Sequence, residues 1–180
     1  VGIPDTMVSA YAQLIEQAVG AQAAAVLLPH MDYLQLTPGD VLLTYGVPSS
    51  DLFVLCAGEL HAHLPLDDGE QLVLGTVAAG KWLGELNIID QGPSSATVVA
   101  SAACILFRLS HASLAQVERE RPDVASKLLA RLTRDLAERM RRSTSGVVER
   151  VGGRDYRLAP PPQQQGWLAR LLGGLMGTQA

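Results

Sequence analysis

A chain of 180 residues is long enough for one domain with a proper core, and its 48% hydrophobic and 18% charged residues exclude a disordered polypeptide. No apolar run approaches the roughly 18 residues of a membrane-spanning helix; the longest, 102–107 with its flanks, has strand length. The net charge of −4 conceals a division: residues 1–107 hold eleven acids against the single cation Lys81, whereas 108–157 hold twelve cations against seven acids.

The chain opens Val1-Gly2-Ile3-Pro4, without an initiator Met or a basic region ahead of an apolar core. That start predicts no signal peptide and points to a piece of a longer protein. From Met7 to Val19, residues Val8, Tyr11, Leu14, Ile15 and Ala18 recur at helical spacing, which predicts an N-terminal helix. Ala21 to Leu28 continues it or forms a second short helix, and Pro29 ends the run.

From Asp32 to Leu109 the texture changes to short strand-like runs divided by turns. Thr37-Pro38-Gly39-Asp40 precedes a strand at 41–43, and 46–50 separates it from a strand at 52–56. Ala57-Gly58 marks a bulge or turn before a strand at 59–66, and Asp67-Asp68-Gly69-Glu70 is a hairpin turn before 72–77. Two further strands lie within 97–109. Many short strands at regular spacing predict a β-barrel or sandwich. His61 and His63 share the polar face of their strand, but two ligands make no metal site and no others are apparent. Cys56 and Cys104 sit inside apolar runs without zinc-like spacing and read as buried small hydrophobes in a reducing compartment.

Ser110 is placed to cap a helix over 111–119. Pro122 starts another, in which Val124, Leu128, Leu132, Leu136 and Met140 recur every fourth residue opposite an Arg-rich face. Residues 143–146, Ser-Thr-Ser-Gly, are where it is expected to weaken. Pro160 to Gln165 reads as an extended linker. Beyond it Trp167, Leu168, Leu171, Leu172, Leu175 and Met176 share a helical face, although Gly173, Gly174 and Gly177 argue against a stable autonomous helix. That short amphipathic tail could pack on the barrel, bind a partner groove, lie on a membrane surface or form a flexible end; with Arg170 as its only charge it lacks the basic face that anionic lipid attracts, which favours protein contact.

Residues 84–98 read Gly-Glu-Leu-Asn-Ile-Ile-Asp-Gln-Gly-Pro-Ser-Ser-Ala-Thr-Val. This segment resembles the phosphate-binding cassette of the cyclic-nucleotide-binding domain superfamily, of the catabolite-activator type. Gly84, Glu85, Pro93, Ser95, Ala96 and Val98 fit its frame, and Ser94 stands where the family places the arginine that pairs with the cyclic phosphate. Residues 36–43, 46–58 and 105–110 resemble other family segments, so the likeness covers about residues 22–144. It implies an α+β, mainly β fold: an antiparallel, jelly-roll-like β-roll between an N-terminal helix and two C-terminal helices. The implied divisions are a helical segment at 1–30, the β-roll at 31–109, helices at 110–150, and a linker with its tail at 151–180.

The resemblance also implies a site. Glu85 takes the ribose 2′-hydroxyl; Gly84, Leu86 and Asn87 offer backbone groups; Ser95 donates a hydroxyl to phosphate; Ser94 and Ala96 complete the loop. Read locally, Glu85 serves equally as a carboxylate capping the cassette turn, and Ser94 and Ser95 as turn formers. Losing the arginine removes a charged hydrogen bond of about 1.5–3 kcal/mol. It also leaves a desolvated charge unpaired, at about 3–5 kcal/mol. Affinity for cyclic AMP or cyclic GMP is then expected to fall by roughly tenfold to a few thousandfold.

The expected function is a cytoplasmic, non-catalytic regulatory domain with weak or no cyclic-nucleotide binding and no other cofactor. It would act through its C-terminal helix on an attached effector domain, or on a second copy through residues 123–142. The alternative is a genuine sensor that uses Lys81, Arg131 or Arg134 as its cation, or takes a different nucleotide. No paired carboxylates, nucleophile–base set or phosphate-cradling glycine loop predicts an enzyme. Residues 151–180 are too few for a major-groove reader, so no nucleic acid is expected, and membrane contact only through a parent protein.

Overall fold

The computed structural model describes the backbone of residues 5–150 and the side chains of 11–141. Helix α1 (Asp5–Val19) ends at Gly20, whose φ of 87° breaks the helix before α2 (Ala21–Leu27). A 3₁₀ turn at Leu28–His30 contains Pro29 and leads into the strands. These are β1 (Asp32–Leu36), β2 (Val41–Leu43), β3 (Asp51–Ala57), β4 (Glu59–Pro65), β5 (Gln71–Ala78) and β6 (Trp82–Leu83). The short helix α3 (Glu85–Asp90) follows, then β7 (Thr97–Ala100), β8 (Cys104–Ser110), α4 (His111–Glu120) and α5 (Pro122–Arg150).

The strands form two four-stranded antiparallel sheets, ordered β1-β8-β3-β6 and β2-β7-β4-β5. Together with the flanking helices they make the α+β, mainly β roll that the resemblance implied. The strands at 52–56 and 72–77 are each longer by a residue at both ends. Strand β6 is only two residues long, Trp82 and Leu83 pairing with Val54 and Phe53.

Strand β3 is buried on both faces because its sheet lies in the middle of three layers. Leu52, Val54 and Cys56 face the helices, while Phe53 and Leu55 face the second sheet. Strand β8 does the same with Phe107 and Leu109 against Cys104 and Leu106. A strand covered on both faces reads as a continuous apolar run, which is how both appear in the sequence. Both cysteines are buried and free, and burial pushes the Cys56 thiol up to about 12.

The Ser110 hydroxyl accepts the Ser113 N–H at 3.1 Å and caps α4 as expected. Along α5, Val124, Ala125, Leu128 and Leu132 are buried against α1, α2 and the first sheet. Leu136 is half-buried and Met140 is exposed. The apolar stripe expected to pair with a second copy over 123–142 is therefore divided. Its first half is consumed by the domain's own core, and at about 1.5–3 kcal/mol per buried aliphatic side chain that half fixes the helix to the roll. The helix also continues through residues 143–146, where the sequence predicted weakening. The linker at 160–165 and the tail from Gly166 lie outside the described residues. Among those described, no helix is long and apolar enough to cross a membrane.

Candidate functional site

Gly84 sets the geometry of the site. Its φ of 82° is left-handed, and a Cβ there would meet the Asp51 carbonyl oxygen at 2.3 Å. Only glycine lets the backbone pass this close to β3 before turning into α3. The helix closes after six residues, where the Gln91 N–H reaches the Asn87 carbonyl at 2.9 Å with Gln91 at φ 53°. The Gly92 N–H then donates to Asp90 Oδ1 at 2.8 Å. Ser94 bonds the loop before β3 through its backbone, donating to Val47 O and accepting from Gly46 N–H, each at 2.9 Å.

Among the described residues the buried polar side chains are Glu85, Asn87 and Ser94, all in this segment and each no more than 5% exposed. Such groups require internal partners. Asn87 Nδ2 donates to the Gly92 carbonyl at 3.0 Å and to Ser94 Oγ at 3.3 Å, tying the helix to the end of its own loop. The Asn87 side-chain amide thus serves the cassette itself. Glu85 Oε1 meets Arg139 Nη1 of α5 at 2.6 Å, and Arg139 Nη2 donates to the Trp82 carbonyl at 3.4 Å. Glu85 accordingly reaches across to the last helix instead of capping its own turn.

These groups border a cavity of about 550 Å³, a size within the range of small-molecule sites. All seven residues singled out from the sequence line it: Gly84, Glu85, Leu86, Asn87, Ser94, Ser95 and Ala96. Its walls are the second sheet, β6 of the first sheet and the cassette, with Asp135, Glu138 and Arg139 contributed by α5. Lys81, exposed, also lines it. Arg131 is bonded to Asp135 at 3.0 Å, and neither it nor Arg134 lines the cavity. The cation that reaches Glu85 is Arg139, which sequence reasoning did not single out.

The histidine strand holds no comparable site. His61 Nε2 lies 3.2 Å from Glu59 Oε1, both half-exposed, and no group of three or more His, Cys, Asp or Glu among the described residues could hold a metal ion. His111, at the start of α4, places its Nε2 2.8 Å from Gln91 Nε2 and so joins α4 to the end of the cassette helix.

A family profile described as the cyclic nucleotide-binding domain matches residues 33–121. A solved cyclic nucleotide-binding domain from Methylobacillus flagellatus is 24% identical with a TM-score of 0.76, covering 86% of this chain and 89% of that one. The N-terminal domain of a transcriptional regulator from Streptomyces coelicolor is 30% identical with a TM-score of 0.62, covering 72% and 93%. The CRP-like cAMP-activated global transcriptional regulator of Mycobacterium tuberculosis is 26% identical over 139 residues, which are 76% of this chain and 59% of that protein. The chain thus spans little more than half the length of that relative.

Proposed function

The chain belongs to the cyclic nucleotide-binding domain superfamily, and we propose that it is a non-catalytic regulatory domain that takes cyclic AMP or cyclic GMP only weakly. The observation that carries this reading is Ser94. It occupies the family's arginine position, is 3% exposed, and has its hydroxyl engaged by Asn87. No lysine or arginine occurs between residues 84 and 98. Other groups of the cassette support a residual nucleotide site. Glu85 is an acceptor for ribose hydroxyls, Ser95 is an exposed hydroxyl donor, and the first-turn N–H groups of α3 before Ile88 have no acceptor within the helix.

Charge adds to the penalty for an anion. The cavity is lined by three carboxylates (Glu85, Asp135 and Glu138) against two cations (Lys81 and Arg139), and that field disfavours phosphate. Output runs through α5, toward an attached effector segment or a second copy of the chain, with the surface around Leu136 and Met140 as the part of the stripe that the core leaves uncovered. The two buried thiols fit a cytoplasmic setting.

Lys81 supports a second reading. Its ammonium, at the turn before β6, lines the cavity and could replace the missing arginine in a genuine sensor. Calorimetric titration of cyclic AMP, cyclic GMP and cyclic dinucleotides, at low and physiological salt, separates the two. Weak heats that saturate only toward millimolar ligand support the degenerate site. Low-micromolar affinity that Lys81→Ala abolishes establishes the second reading in its place.

A further inference from the structure

We infer that the indole N–H of Trp82 is a ligand-directed donor: the molecule that fills the cavity brings an uncharged acceptor, a carbonyl oxygen or a ring nitrogen, to Nε1. This rests on the reading of the cavity as a small-molecule site, and deepens it by naming a specificity-determining residue outside the cassette. Trp82 is only 4% exposed, yet its Nε1 has no hydrogen-bond partner. A buried indole N–H is expected to find an acceptor, because burial has removed the water that would supply one. Among the described residues, the other buried side-chain nitrogen or oxygen in this position is His111 Nδ1, and His111 does not line the cavity. Every buried polar side chain of the cassette, by contrast, has a partner: Asn87 and Ser94 meet each other, and Glu85 meets Arg139.

The strand that carries Trp82 explains why the donor borders the cavity. Strand β6 is two residues long and lies at the edge of the first sheet, so its two side chains part to opposite faces. Leu83 packs toward the second sheet and Trp82 toward the helices. Both line the cavity, together with Asp135, Glu138 and Arg139 of α5. The cavity therefore wraps the free edge of β6, and the indole borders the arm that lies beside α5. The backbone beneath the ring is pinned, because Trp82 pairs with Val54 and its carbonyl accepts from Arg139 Nη2 at 3.4 Å. The lining holds three carboxylates against two cations. That field disfavours an anionic acceptor such as a phosphate oxygen and leaves a neutral one for the indole.

Nuclear magnetic resonance of the ¹⁵N-labelled full chain reads this donor directly. The chain has two tryptophans, Trp82 and Trp167, so Trp167→Phe assigns the Trp82 indole signal. Without ligand that proton should resonate upfield, as a donor without a partner does. A proton already at a hydrogen-bonded position would mean that water or a protein group meets it, and would overturn the inference. Cyclic AMP and cyclic GMP are the probes, since their bases carry ring-nitrogen and carbonyl acceptors. Titrated to millimolar concentration, at least one should move the indole proton downfield with the same midpoint as the Gly84 and Leu86 amides. Amides that move while the indole stays put would sink the inference and leave the regulatory reading standing. If neither amides nor indole move, the nucleotide reading of the cavity fails and the inference falls with it. Trp82→Phe keeps an aromatic ring and removes the donor. It should weaken binding of the responding nucleotide by roughly threefold to tenfold, the equivalent of one neutral hydrogen bond. Unchanged affinity would mean that the ligand only passes near the ring, and the inference is wrong. Should Trp82→Phe not fold, the titration of the parent chain still decides.

Discussion

Gly80 and Gly84 flank β6 with nearly the same φ, 84° and 82°, but in different surroundings. A Cβ at Gly80 would meet only Leu14 Cδ2, at 3.8 Å, whereas at Gly84 it would sit 2.3 Å from the Asp51 carbonyl oxygen. Alanine at either position incurs the left-handed penalty of about 1–2 kcal/mol. At Gly84 the added methyl must also push apart β3 and the cassette, an overpacking cost of roughly 1–3 kcal/mol more. Gly80→Ala should therefore destabilise by about 1–2 kcal/mol and Gly84→Ala by about 2–5 kcal/mol. Urea unfolding of the two variants and the parent, followed by circular dichroism, measures both against one baseline. The comparison cancels the shared φ term and isolates the close approach. Equal losses, within about 0.5 kcal/mol, would refute the claim that the Asp51 carbonyl is what requires glycine at the cassette.

Leu128, fully buried where α5 meets the roll, should cost about 2–5 kcal/mol as Leu128→Ala, read from the same urea transitions. Cys56, with its thiol pushed up to about 12 by burial, should resist iodoacetamide at pH 8 in the folded protein and react once urea exposes it; mass spectrometry reads the adduct. Asp40 accepts the Thr37 N–H at 2.6 Å and the Thr37 hydroxyl at 2.8 Å, which hold its carboxyl below the ordinary 3.8. A depressed folded-state value stabilises above the unfolded value and is lost as pH falls through the folded one. Asp40→Asn should accordingly lower Tm at pH 7, and the gap to the parent should narrow progressively in thermal melts taken at pH values further and further below 3.8.

The roll was legible because its signals are local. Turn residues at 37–40 and 67–70 bracket the strands, and the cassette carries its conformational demands in its own letters, from Gly84 through Asn87 to Ser94. Three-layer packing was less so. The apolar runs of β3 and β8 reveal that both faces are covered but not by what, and Trp82-Leu83 is too short for any periodicity to mark it as a strand. The stripe of α5 marked the face that Val124, Leu128 and Leu132 bury, but not that Met140 at its end is exposed. Whether that face meets the domain's own core or a partner depends on where α1 and α2 pack, which no spacing within α5 encodes.

Arg139 shows where a stronger signal lay. A helix turns about 100° per residue, so Arg134 lies about 160° away from Leu132, off the buried stripe, whereas Arg131, seven residues after the buried Val124, lies within about 20° of that residue at the edge of the stripe. Arg139, seven residues on from Leu132, returns to within about 20° of that leucine. A cation in register with an apolar seam lies over the surface that the seam covers, where its long side chain reaches an acceptor while its head stays half in water. The sequence offers a carboxylate inside the cassette, Glu85, on the same surface. Reading the seam past its last leucine would have added Arg139 to Arg131 as a cation of α5 on the roll side and set Arg134 aside, and the 2.6 Å contact is what that register produces.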